Sequence, residues 1–190
     1  MESRPRSWLW KGVRVARVVA AVILLVFLLL YLFQEKLIFM PTRALDFTPA
    51  DVKLAYTDID FRADDNTLLH GWYIEASEPR GVALFCHGNG GNISHRVYNA
   101  EFLVKKQKLS VFMFDYRGYG KSKGKPGEKG LYSDTLGAWK WLTEVKGISP
   151  QKIIIYGRSL GGAPAVWLAN EVEAAGLVVE STFSSMVDMA

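Results

Sequence analysis

Between Ile153 and Leu168 the chain reads Ile-Ile-Ile-Tyr-Gly-Arg-Ser-Leu-Gly-Gly-Ala-Pro-Ala-Val-Trp-Leu, and no other stretch restricts the fold as much. The β-branched run Ile153-Ile154-Ile155 predicts a strand, and the Ala/Leu/Trp-rich segment after Gly162 has helical spacing. Between them, Gly157-Arg158-Ser159-Leu160-Gly161 sets a glycine two residues either side of one serine. That is the pattern of a nucleophile elbow, a turn so tight that only glycine fits at the flanking positions. The turn lifts the Ser159 hydroxyl above the carboxyl edge of a sheet. It also leaves the backbone N–H of Leu160, at a helix start, free to meet developing negative charge.

The segments before the elbow extend the same pattern. Tyr56–Phe61 and Leu68–Glu75 read as two antiparallel strands joined by the turn-rich run 62–66. Val82–Cys86 and Val111–Phe114 are continuous apolar runs, as expected of strands buried on both faces. Helical spacing follows each: Ile93, Val97, Ala100 and Val104, then a helix from Glu128 to Val145 burying Leu131, Trp139, Leu142 and Val145. Leu177–Glu180 is a further strand. Strands alternating with helices predict an α/β architecture, a doubly wound and mostly parallel sheet. Pro164, read as lying past the first turn of the elbow helix, predicts a lost hydrogen bond and a kink there.

The N-terminus is of a different kind. No charge falls between Val18 and Phe33, and with Val13, Val15 and Ala16 the apolar span reaches the roughly 20 residues a bilayer requires. A cleaved leader would be followed by small residues, but Gln34-Glu35-Lys36 follow, and a helix apolar all round is no ordinary soluble one. The expected layout is a basic cytoplasmic tail over 1–12, a single-pass transmembrane signal anchor over 13–33, an extended neck over 34–54 and a catalytic-type domain over 55–190. Arg4, Arg6, Lys11, Arg14 and Arg17 precede the core of the span and only Lys36 and Arg43 follow closely. That bias keeps the N-terminus cytoplasmic and the domain extracytoplasmic or lumenal. Six of the 23 Lys/Arg and two of the 19 Asp/Glu lie in residues 1–36, so the net charge of +4 belongs to the tail and implies no nucleic-acid partner. With Cys86 as the only cysteine, no internal disulfide and no cysteine-based metal cluster can form.

Two other glycine-rich stretches invite nucleotide readings and fail them. In His87-Gly88-Asn89-Gly90-Gly91-Asn92 the third glycine of a dinucleotide fingerprint is replaced by Ile93, and in Asp115-Tyr116-Arg117-Gly118-Tyr119-Gly120-Lys121-Ser122 the first glycine of a P-loop is Asp115. The first loop leaves a strand on the same sheet edge as the elbow, where backbone N–H groups, that of Asn89 foremost, can supply the second oxyanion donor. Asn92, within a glycosylation sequon, is better explained as a helix cap. Asp115 and Arg117 are expected to tie down their loop, and Lys121, Lys123, Lys125 and Lys129 to be solvated.

Phe85–Gly90, Phe114–Gly120, Gly157–Gly162 and Glu180-Ser181 occur together and in this order, and they resemble the α/β-hydrolase superfamily. More narrowly, the chain resembles its membrane-anchored, serine-aminopeptidase-like branch. The resemblance covers Leu37 to Ala190. It implies a serine hydrolase cleaving a carboxylic ester, thioester or amide through an acyl-enzyme on Ser159, with Leu160 and Asn89 holding the oxyanion and no metal or organic cofactor. The chain departs from the superfamily pattern after the elbow. The triad order is serine, acid, histidine, yet His70, His87 and His95 all precede Ser159, so no base is assigned. Of the later acids, Glu171 and Glu173 lie in the helix leading away, Asp188 is near the terminus, and Glu180 is the fallback acid, with a structural role competing. The superfamily's cap, last strands, acid and histidine are all missing, which predicts a fragment incomplete at its C-terminus and Leu177–Glu180 as a bare sheet edge. The rival expectation is a catalytically inactive module that binds an acyl ligand or a partner protein. A third is a membrane scaffold.

Overall fold

The computed structural model describes residues 7–182, and the chain divides into two units, Met1–Ile38 and Phe39–Ala190. Within the first, α1 (Ser7–Ile38) is one continuous helix. Its stretch Trp10–Ile38 is 29 residues, long and apolar enough to cross a membrane. The helix runs five residues past the expected end of the span, because Gln34, Glu35 and Lys36 are good helix formers.

The second unit holds β1 (Thr57–Arg62), β2 (Leu68–Ile74), β3 (Gly81–Cys86), α2 (Val97–Lys105), β4 (Leu109–Phe114), α3 (Glu128–Lys140), β5 (Ile153–Arg158), α4 (Gly162–Glu171) and β6 (Gly176–Glu180). The six strands form one sheet in the order β1-β2-β4-β3-β5-β6. β1 and β2 are antiparallel to their neighbours, and the remaining pairs are parallel. The doubly wound, mostly parallel expectation is met. The register pairs Leu84 with Ile155 and Ile155 with Leu177, aligning the ends of β3 and β5 where the two glycine loops emerge.

Side chains alternate along the buried strands and feed two cores. One face sends Leu84, Cys86, Phe112, Phe114, Ile153 and Ile155 against Leu131, Ala138 and Leu142 and against Ala165 and Leu168 of α4. The other sends Ala83, Phe85, Val111 and Met113 against Ile93, Val97, Ala100 and Leu103. Helices on both faces explain why β3 is buried along its full length. Among the described residues β6 is the outer strand, with Leu177, Val178 and Val179 each about two-fifths exposed.

Three local expectations are corrected. α3 gives way at Trp141–Val145 to a π-helical turn. That widening changes the angular phase, so Leu142 stays inside and Val145 turns out to solvent. α4 begins at Gly162, which puts Pro164 in the first turn, where a helix N–H has no intrahelical acceptor to lose. The expected kink therefore has no cause. The supposed neck is not a free spacer either: from Phe39 onward it belongs to the sheet unit, with Phe39, Val52 and Leu54 buried.

The loop after β4 is anchored by Arg117. Its Nε and Nη2 donate to Asp134 Oδ1 at 2.9 and 2.7 Å, its backbone N–H donates to Asp134 Oδ2 at 2.7 Å, and its Nη1 donates to Asp65 Oδ2 at 2.7 Å. Asp134 is fully buried on α3, and Asp65 lies in the turn between β1 and β2. The Arg117 hydrogen bond holds the Asp65 carboxyl well below the usual carboxylate range. A depressed folded pKa stabilises fully above the unfolded value of 3.8, and that contribution is lost as pH falls through the folded value. Asp65→Asn is therefore expected to lower the thermal midpoint at pH 7 and to approach wild type as pH drops from 4 toward 2. A wild-type-to-variant difference that stays constant from pH 7 to pH 2 would remove this role from Asp65.

Candidate active site

Ser159 sits at the end of β5 with φ +51°, left-handed backbone for a residue with a side chain. Close approach enforces the turn. A Cβ on Gly157 would come 2.5 Å from Gly161 O and 2.6 Å from the Ala165 methyl. One on Gly161 would come 2.1 Å from Cys86 O and 2.6 Å from His87 O. Ser159, Leu160 and Gly161 form a 3-10 turn that runs into α4, with Leu160 half-buried. Thr182 donates its hydroxyl to Ser159 O at 2.9 Å and so braces the turn from beyond β6. Sequence reasoning missed Thr182, since no local pattern joins it to a residue 23 positions earlier.

The loop after β3 reaches the same place. A Cβ on Gly88 would stand 3.4 Å from Ser159 Cβ and 4.0 Å from its Oγ, so the Gly88 backbone lies against the serine side chain. Next along, Asn89 Oδ1 accepts from the Met40 N–H at 3.0 Å and from Tyr119 Oη at 2.9 Å. Burial pushes the Tyr119 phenol up to about 12, which keeps it a donor. Gly91 exchanges backbone hydrogen bonds with Met40 and Thr42, and Asn92 Nδ2 donates to Thr42 Oγ1 at 3.1 Å. Asn92 also caps the turn that follows, accepting from Ser94 N at 2.9 Å. Residues 39–46 thus strap the loop that carries Asn89.

Among the described residues each histidine hydrogen-bonds a partner other than Ser159, while His87 Nε2 and His70 Nδ1 are buried without one. His87 is buried, donates Nδ1 to Gly88 O at 2.7 Å and packs on Tyr116 at 4.4 Å between ring centroids. Burial holds its pKa below the ordinary imidazole value. His95 bonds Asp46 Oδ2 at 2.9 Å and accepts from Asn92 N at 3.2 Å, a packing role. His70 donates Nε2 to Asp58 Oδ1 at 2.6 Å. Asp115, fully buried, accepts the Ile93 N–H at 2.9 Å through its side chain, pinning the start of the helical segment before α2, and its backbone carbonyl accepts from Ser122 Oγ at 2.6 Å within its own loop. Glu180, the fallback acid, accepts from Tyr156 Oη at 2.6 Å and lies 3.2 Å from Arg158 Nε. Asp188 lies outside the described residues. Among those residues no group of three or more His, Cys, Asp or Glu could hold a metal ion.

A mostly parallel sheet with helices on both faces, and a serine on a strained strand–helix turn beside a glycine loop, is the frame of an α/β-hydrolase. The family model of the serine aminopeptidases, S33, matches residues 77–189, and the chain belongs to that family of α/β-hydrolases. It is 40% identical over 171 residues to the alpha/beta hydrolase domain-containing protein WAV2 of Arabidopsis thaliana, covering 85% of this chain and 56% of that one. It is 37% identical over 147 residues to the protein bem46 of Schizosaccharomyces pombe, covering 75% and 49%. The solved esterase Pf2001 of Pyrococcus furiosus superposes with a TM-score of 0.66 at 29% identity, covering 76% of this chain and 56% of that one. The chain spans about half the length of the curated relatives it matches.

Proposed function

We propose that this chain carries the nucleophile half of a membrane-anchored serine hydrolase that cleaves a carboxylic ester, thioester or amide. Ser159 attacks the carbonyl and forms the acyl-enzyme, while the backbone N–H groups of Leu160 and Asn89 receive the oxyanion. The observation that carries the reading is the left-handed Ser159, held between Gly157 and Gly161 with Gly88 against its side chain. Strain of this kind persists where neighbours enforce it, and it aims the hydroxyl outward. The histidines here are committed elsewhere, so the reading takes the base and the acid from the part of the fold that this chain does not span. Residues 13–33 anchor the protein, residues 1–12 face the cytoplasm, and the hydrolase unit lies on the other side.

A fluorophosphonate probe tests the nucleophile and the topology together. In detergent, in the protein that also carries the base and acid, the probe is expected on the peptide containing Ser159 and absent from Ser159→Ala. In sealed vesicles with the cytoplasmic face outward, an impermeant version labels only after detergent is added. Labelling without detergent would reverse the orientation. A folded wild-type protein that never labels would favour the rival reading, an inactive module binding an acyl ligand. The commitment of all three imidazoles is the observation on that reading's side.

A further inference from the structure

Two arginines lie on segments next to the elbow, Arg158 directly before Ser159 and Arg96 one helical turn from Asn99, which Arg158 contacts, and acyl transfer as proposed does not use them. Arg158 Nη1 reaches Asn99 Oδ1 on α2 at 3.3 Å, and its Nε lies 3.2 Å from Glu180 Oε1. Arg96, at the start of α2, donates Nη2 to Gly90 O in the loop that packs on Ser159, and Nη1 to His95 O at 3.5 Å. Its Nε is buried and finds no acceptor among the described residues. Burial, and then the positive charge of Arg158, lower the Arg96 pKa from its ordinary value.

The charge balance at this rim is uneven. Among the described residues Glu180 is the carboxylate paired with Arg158, and Arg96 has none. The nearby acids are spent: Glu101 pairs with Lys105 at 2.7 Å and Asp46 with His95 at 2.9 Å. Two half-buried cations sharing one anion cost free energy unless a further anion joins them. A guanidinium fork also matches the oxygen pair of a carboxylate or phosphate better than any other side chain does. We propose that Arg96 and Arg158 form an anion subsite at the rim of the active site, taking a carboxylate or phosphate group carried by the substrate. Calling that anion a part of the substrate rests on the acyl-transfer reading; the subsite itself rests on the geometry.

The test uses, in detergent, the protein with the base and acid that the acyl-transfer reading requires. With p-nitrophenyl butyrate as the neutral ester and mono-p-nitrophenyl glutarate as the anionic one, the ratio of kcat/KM values, glutarate over butyrate, is read for wild type and three variants. Arg96→Gln and Arg158→Gln are each expected to lower that ratio by about ten-fold, the loss of one charge-assisted contact. Glu180→Gln removes the competing carboxylate and is expected to raise it. A ratio that neither arginine variant moves overturns the proposal. A second arm needs no catalysis: glutarate and inorganic phosphate are titrated into Ser159→Ala protein by calorimetry. Binding at millimolar concentration or tighter that weakens about ten-fold in the Arg96→Gln/Arg158→Gln background supports the subsite, and the tighter of the two anions names its chemistry. Binding seen there without hydrolysis of either ester would retire the acyl-transfer reading and keep the subsite. No binding of either anion to otherwise unaltered protein would retire the subsite whatever the esters show.

Discussion

On the acyl-transfer reading, exchanging Ser159 for alanine in the protein that also carries the base and acid is expected to lower ester hydrolysis by about four orders of magnitude or more, with little change in the thermal midpoint. The size of the loss follows from what a nucleophile does: without it the oxyanion donors and binding alone remain, and these supply a small residue of catalysis. The midpoint holds because alanine inherits the same left-handed backbone at φ +51° and the same small volume. Ser159→Gly sharpens the test. Left-handed backbone costs a residue with a Cβ about 1–2 kcal/mol. Glycine escapes that cost and returns roughly 0.5–1 kcal/mol through its greater freedom when unfolded. The glycine variant should therefore be inactive yet more stable by about 0.5 kcal/mol, a rise of one or two degrees in a unit of this size. An inactive variant that is also destabilised would show that the strain at Ser159 is not held by its neighbours.

The largest effect on stability is expected from Gly161→Ala, a loss of about 3 kcal/mol or more, measured as the shift of the unfolding midpoint. The new methyl would stand 2.1 Å from Cys86 O and 2.6 Å from His87 O, and both obstacles are backbone. A side chain could rotate away; a carbonyl at the end of a strand paired on both sides cannot. Either β3 or the turn must move, and overpacking of that kind costs about 1–3 kcal/mol even where flexible neighbours yield. The displacement also falls on the loop from His87 to Gly90, so fluorophosphonate labelling should slow in whatever fraction remains folded. Gly90→Ala is the control, because a Cβ there meets nothing within 4 Å; its effect should stay within about 0.5 kcal/mol. Equal behaviour of the two variants would show that the close packing of elbow on strand is not what requires glycine at 161.

Local pattern carried much of this protein. Apolar runs placed β3 and β4 to within two residues and β5 to within three, and the switch from unbroken runs to helical spacing predicted the layered sheet. The elbow was legible because its constraint is local: two glycines and a serine within five residues, between a strand and a helix. Asn92 as a cap was legible for the same reason, since its partner Ser94 lies two residues away.

What lay beyond reach were pairings between distant positions. The hydrogen bond from Thr182 to the elbow, the strap of residues 39–46 on the loop carrying Asn89, and the contact of Arg158 with Asn99 join residues 23 to 59 apart, and no spacing rule encodes them. The misreadings share that cause: Val145 faces solvent because a π-helical turn changed the phase, and Pro164 is harmless because the 3-10 turn delayed the helix start. By itself the sequence determined the alternation of strands and helices, the apolar N-terminal span and the serine at the turn, because hydrophobic period and glycine sterics act over a few residues. Only the tertiary structure decided what surrounds that serine, where each histidine and Glu180 is committed, and which charges meet at the rim, because those contacts exist only once the sheet has brought the loop ends together.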